Sequence, residues 1–215
     1  MRSSSRTLSA LAAVFALGVG WASEPARGAE LLETFDGKPP AQILGGLLTI
    51  GRDGAWEGKV DGGAYTLRND TDAEAVKYFN INDLEGDPVG LAGASVGVDL
   101  QLAGAGGLSG AGIVYRFDPA NRTYLLFTLL GSNEYAVFAR GTRGFRPVAR
   151  GSVPGLRPGV NRLAVRSSGD RIEFLVNDGV ATGMSVRGAS GGSVGLAAIG
   201  KGTFTFDNFS IEDRG

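Results

Sequence analysis

Histidine and cysteine are both missing from the 215-residue chain. Without histidine there can be no Ser-His-Asp or Cys-His site, no imidazole-bound zinc and no histidine general base. Without cysteine there is no disulfide and no lipid-modified thiol, so stability has to come from a buried core. A concentrated basic face is missing too. The 21 Lys+Arg against 22 Asp+Glu leave a net charge of −1, which offers no hold on nucleic acid or an anionic membrane. Helical periodicity is also scarce: past the N-terminus, no run of ten or more residues repeats its apolar positions every 3.6 residues.

What is present begins with one apolar run, Leu8 to Val19, behind Arg2 and Arg6 and ahead of small residues. That is the three-part layout of a secretory signal peptide, too short and wrongly flanked for a membrane span. Cleavage after Ala22 follows "GWA"; cleavage after Gly28 or Ala29 is the alternative. The expectation is a signal peptide over 1–22, a short linker over 23–30 and one domain over 31–213, secreted or periplasmic. Loss of Arg2 and Arg6 leaves 19 basic against 22 acidic residues, a net charge of −3. A chain of that size buries roughly 70% of its unfolded surface and can sustain a core unaided.

Glycine is abundant, 36 residues spread between short apolar runs without a fixed period. Dispersed glycine of this kind marks turns and bulges of an all-β chain. Candidate strands recur, among them "LLETF", "GLLTI", "AWEGKV", "AVKYFNI", "GAGIVYRF", "RTYLLFTLL" and "EYAVFAR". In "GDRIEFLVNDGVATG", Ile172, Phe174 and Val176 share one face before a tight turn at Asn177-Asp178-Gly179. In "TFTFDNFSI", Phe204 and Phe206 alternate and the pattern then skips to Phe209 and Ile211, which predicts a bulge at Asp207-Asn208. About a dozen short strands without helices predict two packed antiparallel sheets.

In order, "GAGIVYRFDPANRTYLLFTL", "NEYAVFAR", "LRPGVNRLAVRSSGDRIEFLVNDGVATG" and "GGSVGLAAIGKGTFTFDNFSIED" resemble the jelly-roll domain of the concanavalin A-like lectin and glucanase superfamily. They are most similar to its laminin-G-like and 3-keto-disaccharide hydrolase-type domains. The resemblance spans about residues 31–213 and implies a two-sheet antiparallel jelly-roll sandwich, often binding carbohydrate on a concave sheet face. It also implies calcium at a loop or edge in some members, for which Asp36 and Asp207 are the carboxylates on offer. The Glu-x-Asp-x-Glu strand of the endoglucanase type is absent, as is the Asn-Ser-Gly segment of the keto-sugar type, where "LSGAGIVYR" stands instead. A hydrolase of either type would have to assemble carboxylates such as Asp99 and Glu173 from separate strands.

Pairing the first hairpin around Asp118-Pro119-Ala120-Asn121 sets Tyr115 against Tyr124 and Ile113 against Leu126. The second then sets Phe127 against Phe138. This places Val114, Arg116, Leu125, Phe127, Phe138 and Arg140 on one face. Arginines among aromatics suit sugar hydroxyls or carboxylates, so Arg116, Arg140 and Phe127 are candidate groove residues; an ordinary solvated sheet face fits the same pattern. Trp56 is either a stacking platform for a sugar or a core residue. Asp118 and Asn121 read as turn chemistry. The expected function is an exported glycan-binding module whose partner is a carbohydrate or cell-envelope glycan. The alternatives are a keto-sugar or glucan hydrolase and a structural or partner-binding envelope protein.

Overall fold

The computed structural model describes residues 31–36, 47–81, 89–91, 93–142, 144–153, 155–186 and 191–213. The expected signal peptide and linker, residues 1–30, lie outside these, as does the acidic run 82–87. Among the described residues there is no helix, hence none long and apolar enough to cross a membrane. The strands are β1 (Leu31–Glu33), β2 (Gly51–Asp53), β3 (Trp56–Asp61), β4 (Ala64–Asn69), β5 (Val76–Ile81), β6 (Val89–Gly90), β7 (Ala94–Ala103) and β8 (Gly110–Asp118). They continue as β9 (Thr123–Leu130), β10 (Glu134–Gly141), β11 (Gly144–Ser152), β12 (Asn161–Ser168), β13 (Arg171–Val176), β14 (Gly179–Ser185), β15 (Gly191–Ile199) and β16 (Gly202–Asp213). Of "GLLTI", the described residues 47–50 carry no strand.

Two antiparallel sheets form the expected sandwich. The first runs β14-β13-β12-β7-β16-β4-β3-β2, with β1 also on β16; the second runs β11-β10-β9-β8-β15-β5, with β6 also on β15. Because side chains alternate along a strand, each sheet sends every second residue inward. Tyr65, Leu67, Val96, Val98, Phe174, Phe204 and Phe206 from the first sheet meet Ile113, Tyr115, Phe127, Val137 and Leu196 from the second. Burial of one such side chain contributes about 1.5–3 kcal/mol, which is how a chain without disulfides holds together.

Two local expectations hold. The β13–β14 turn places Asn177 at φ 49° and Asp178 at φ 67°, the left-handed pair that a two-residue hairpin demands. On β16 the register slips between Asp207 and Ser210, with Asn208 at φ 47°, which turns both Phe206 and Phe209 into the core.

Candidate functional site

The β8–β9 hairpin differs from expectation by one residue, and the difference decides which side chains reach the surface. Tyr115 pairs with Leu125 and Asp118 with Thr123, so Arg116 and Phe117 together oppose Tyr124. This is a β-bulge, with Arg116 at φ 54°. Upstream of it, Ile113 pairs with Phe127 and Val114 with Leu126. A slip of one residue exchanges the two faces of a strand. The inward set is therefore Ile113, Tyr115, Phe127 and Val137, and the outward set is Val114, Tyr124, Leu126, Phe138 and Arg140. The bulge needs room from its neighbour: a Cβ on Gly192 of β15, at φ 145°, would come within 2.9 Å of the Arg116 Cα.

Past the bulge Phe117 turns outward and Arg116 does not. Arg116 is buried at the rim of the core, its Nη1 donating to the Val186 carbonyl at 3.4 Å and its guanidinium 5.9 Å from the Tyr115 ring. Phe117 instead joins Tyr78 and Tyr124, all three pairs with ring centroids 5.8 Å apart. Tyr124 continues to Phe145 at 6.4 Å, and Phe145 stacks on Phe138 at 4.8 Å. Tyr78 can lean from β5 across β15 because the outward positions there are Gly195 and Ala197; a Cβ on Gly195 would collide with the Phe79 carbonyl.

The result is a groove of about 630 Å³ on the outer face of the second sheet, lined by Val76, Tyr78, Phe117, Pro119, Arg122, Tyr124, Arg140 and Phe145. Beneath it Val114, Leu126, Ala136 and Ala197 form a second buried apolar cluster. The turn beside the groove is held by Asp118, whose carboxylate accepts from the Ala120 and Asn121 backbone N–H groups and from Asn121 Nδ2. Those hydrogen bonds keep the Asp118 carboxyl below its usual range, that of the Asn121 side chain most of all. Burial raises the Tyr124 hydroxyl, Tyr78 adds to the rise, and the nearby Arg140 charge opposes it.

Of the residues named from the sequence as ligand contacts, Arg140 lies in the groove. Arg116 is turned away by the bulge. Phe127 is fully buried, its ring 5.2 Å from Phe174, and Trp56 packs in the core 6.2 Å from Phe204. Both are corrected to core residues, Phe127 because of the register and Trp56 because β3 turns it inward. Tyr78, Phe117, Arg122 and Phe145 were not named. The alternation in "AVKYFNI" sets Val76 and Tyr78 on one face and was the available signal; for Phe117 nothing local marks the bulge.

The carboxylates behave differently. Asp99 and Asp207 sit opposite each other on β7 and β16, where Asp99 accepts from Asn208 Nδ2 at 2.8 Å and pairs with Arg162 at 3.4 Å. Burial raises the Asp207 carboxyl, and the charges of Asp99 and Asp36 raise it further. Asp36 and Asp207 thus come near one another, yet among the described residues no group of three or more acidic side chains is disposed to hold a metal. A calcium ion takes six to eight oxygens, and this pair, with Asp207 Oδ1 already accepting from the Asn208 N–H, does not fit one. Asp99 faces Arg162 and Glu173 faces Arg166 on β12. Four residues of strand, about 13 Å, separate those positions, beyond the roughly 5–9.5 Å of glycosidase carboxyl pairs.

No protein-family model and no curated protein matches the chain. Solved structures do. A carbohydrate-binding module, CBM66 from Bacillus subtilis, superposes with a TM-score of 0.53 at 17% identity over 74% of this chain and 92% of its own. The GH43 protein BlXynB from Bacillus licheniformis gives 0.57 at 17%, over 85% of this chain and 39% of its own. The catalytic domain of an endo-1,3-beta-glucanase (laminarinase) from Thermotoga petrophila gives 0.50 at 10%, over 76% and 82%. With its two antiparallel sheets and these likenesses, the chain has the concanavalin A-like jelly-roll fold.

Proposed function

We propose that the protein is an exported glycan-binding module that holds carbohydrate against the aromatic groove on the outer face of its second sheet. The observation that carries this reading is the run of four rings, Tyr78, Phe117, Tyr124 and Phe145, partly open to solvent over an apolar floor and flanked by two arginines. Rings present flat apolar faces to the C–H side of a pyranose, while guanidinium forks reach its oxygens. Such rings would otherwise be an exposed apolar patch of the kind that marks a binding surface. The N-terminal signal pattern supports export to where polysaccharides lie. The carbohydrate-binding module among the similar structures supports the glycan class.

The lining supports binding over hydrolysis: among the described residues the groove carries no carboxylate, whereas glycoside hydrolysis uses two. Retention of the full chain on a glycan array tests the reading. Wild type is expected to be retained and Phe145→Ala to lose retention. A chain held by no glycan would favour an envelope protein with a macromolecular partner.

A further inference from the structure

We infer that the groove selects an acidic saccharide, one whose sugar ring carries a carboxylate, through Arg122 and Arg140. This rests on the glycan reading of the same groove and goes beyond it by naming the substrate class.

On the first sheet four arginines are matched to carboxylates, Arg68 with Asp70, Arg162 with Asp99, Arg166 with Asp178 and Arg171 with Glu173, while Arg52 on the edge strand β2 forms no ion pair among the described residues. At the far edge of the second sheet Arg150 pairs with Glu134. Among the described residues, Arg122 and Arg140 form no ion pair with an acidic side chain, and no Asp or Glu lines their groove. Asp118, the nearest acid in sequence, is committed to its own turn through three hydrogen bonds.

Their placement is built rather than casual. Arg122 enters the groove from a left-handed backbone position, φ 51°, which a residue other than glycine seldom adopts. Arg140 sits directly across from Tyr124 in the β9–β10 register. Two exposed cations beside a ring platform, in a chain with slightly more acidic than basic residues, complement an anion that stacks. A planar guanidinium binds a carboxylate through two parallel hydrogen bonds, a geometry that a neutral hydroxyl does not offer.

Binding of the full-length chain to polygalacturonate, alginate and hyaluronan, beside methyl-esterified polygalacturonate, laminarin and dextran sulfate, tests this by affinity electrophoresis. The expected result is retention by a carboxylated polymer, on the order of tenfold weaker for the corresponding ester or neutral polymer. Arg122→Gln with Arg140→Gln should erase that preference while leaving the thermal midpoint in place. Equal or tighter retention by dextran sulfate would overturn the carboxylate assignment in favour of sulfate. Equal retention by laminarin or the ester would overturn the acidic preference while leaving the glycan reading intact. Failure to bind any of the polymers would remove the glycan reading itself.

Discussion

The two outer faces of the sandwich are made from the same period-2 strands and differ in what they do with charge and aromatic surface. The first sheet presents Arg162, Arg166, Arg171 and Lys59, each within reach of a carboxylate. The second presents rings, with Tyr78 and Phe145 among its exposed large hydrophobics, and beside them Arg122 and Arg140, which form no ion pair among the described residues. A face whose charges are paired among themselves has little left for a partner; one with open rings and open guanidiniums keeps that capacity. On a fold whose two sides look alike in outline, that difference is the basis for proposing recognition on the second sheet's outer face.

The largest expected effect tests inner against outer rings of the second sheet. Phe127→Ala should cost about 3–5 kcal/mol, seen as a loss of roughly 10 °C or more in Tm, because Phe127 is fully buried against Phe174. Tyr78→Ala, on the open face, should cost less than about 1 kcal/mol and be felt in glycan retention instead. Equal losses of stability would erase the distinction.

Next in size is the contrast between matched and unmatched arginines. Arg162 donates to the Asn208 carbonyl at 2.6 Å and to Ser210 Oγ at 2.7 Å besides facing Asp99. Its replacement by alanine should destabilise by about 2 kcal/mol in denaturant titration, while Arg140→Ala should stay within about 0.5 kcal/mol. A large loss for Arg140→Ala would mean that it has a structural partner.

The smallest effect depends on pH. Burial, then the charges of Asp99 and Asp36, raise the Asp207 carboxyl above its unfolded value. The native state therefore holds its proton more tightly, and stability declines as pH rises from below the unfolded pKa through the folded one. Asp207→Asn should raise Tm relative to wild type at pH 7 and lose that advantage at pH 3. An advantage of equal size at both pH values would exclude the carboxylate charge as its source.

The sequence made the all-β sandwich, the Asn177-Asp178 turn and the Asp207-Asn208 bulge legible for one reason: each is written locally, in alternation broken or closed by residues that tolerate positive φ. Arg140 was named from the sequence as a mid-strand cation among aromatics, and it lines the groove. The bulge at Arg116 was not legible. Arginine does not announce a left-handed backbone, and the glycine that makes room for it, Gly192, lies on a strand more than seventy residues away. Because one extra residue exchanges the faces of a strand, that single feature sent Phe127 and Arg116 inward and brought Phe117 out. The rings of Tyr78 and Phe145 come from β5 and β11, at opposite edges of the sheet, and only the strand order brings them to one groove.

The central claim, that recognition belongs to the outer face of the second sheet, is tested most directly by hydrogen–deuterium exchange of the chain with and without a polysaccharide that it retains. The account predicts added protection over Phe117 to Tyr124, around Tyr78, and from Arg140 through the described residues to Phe145, with β7, β12 and β13 unchanged. Protection confined to β7, β12 and β13 would contradict it and move the site to the face where the charges are already paired.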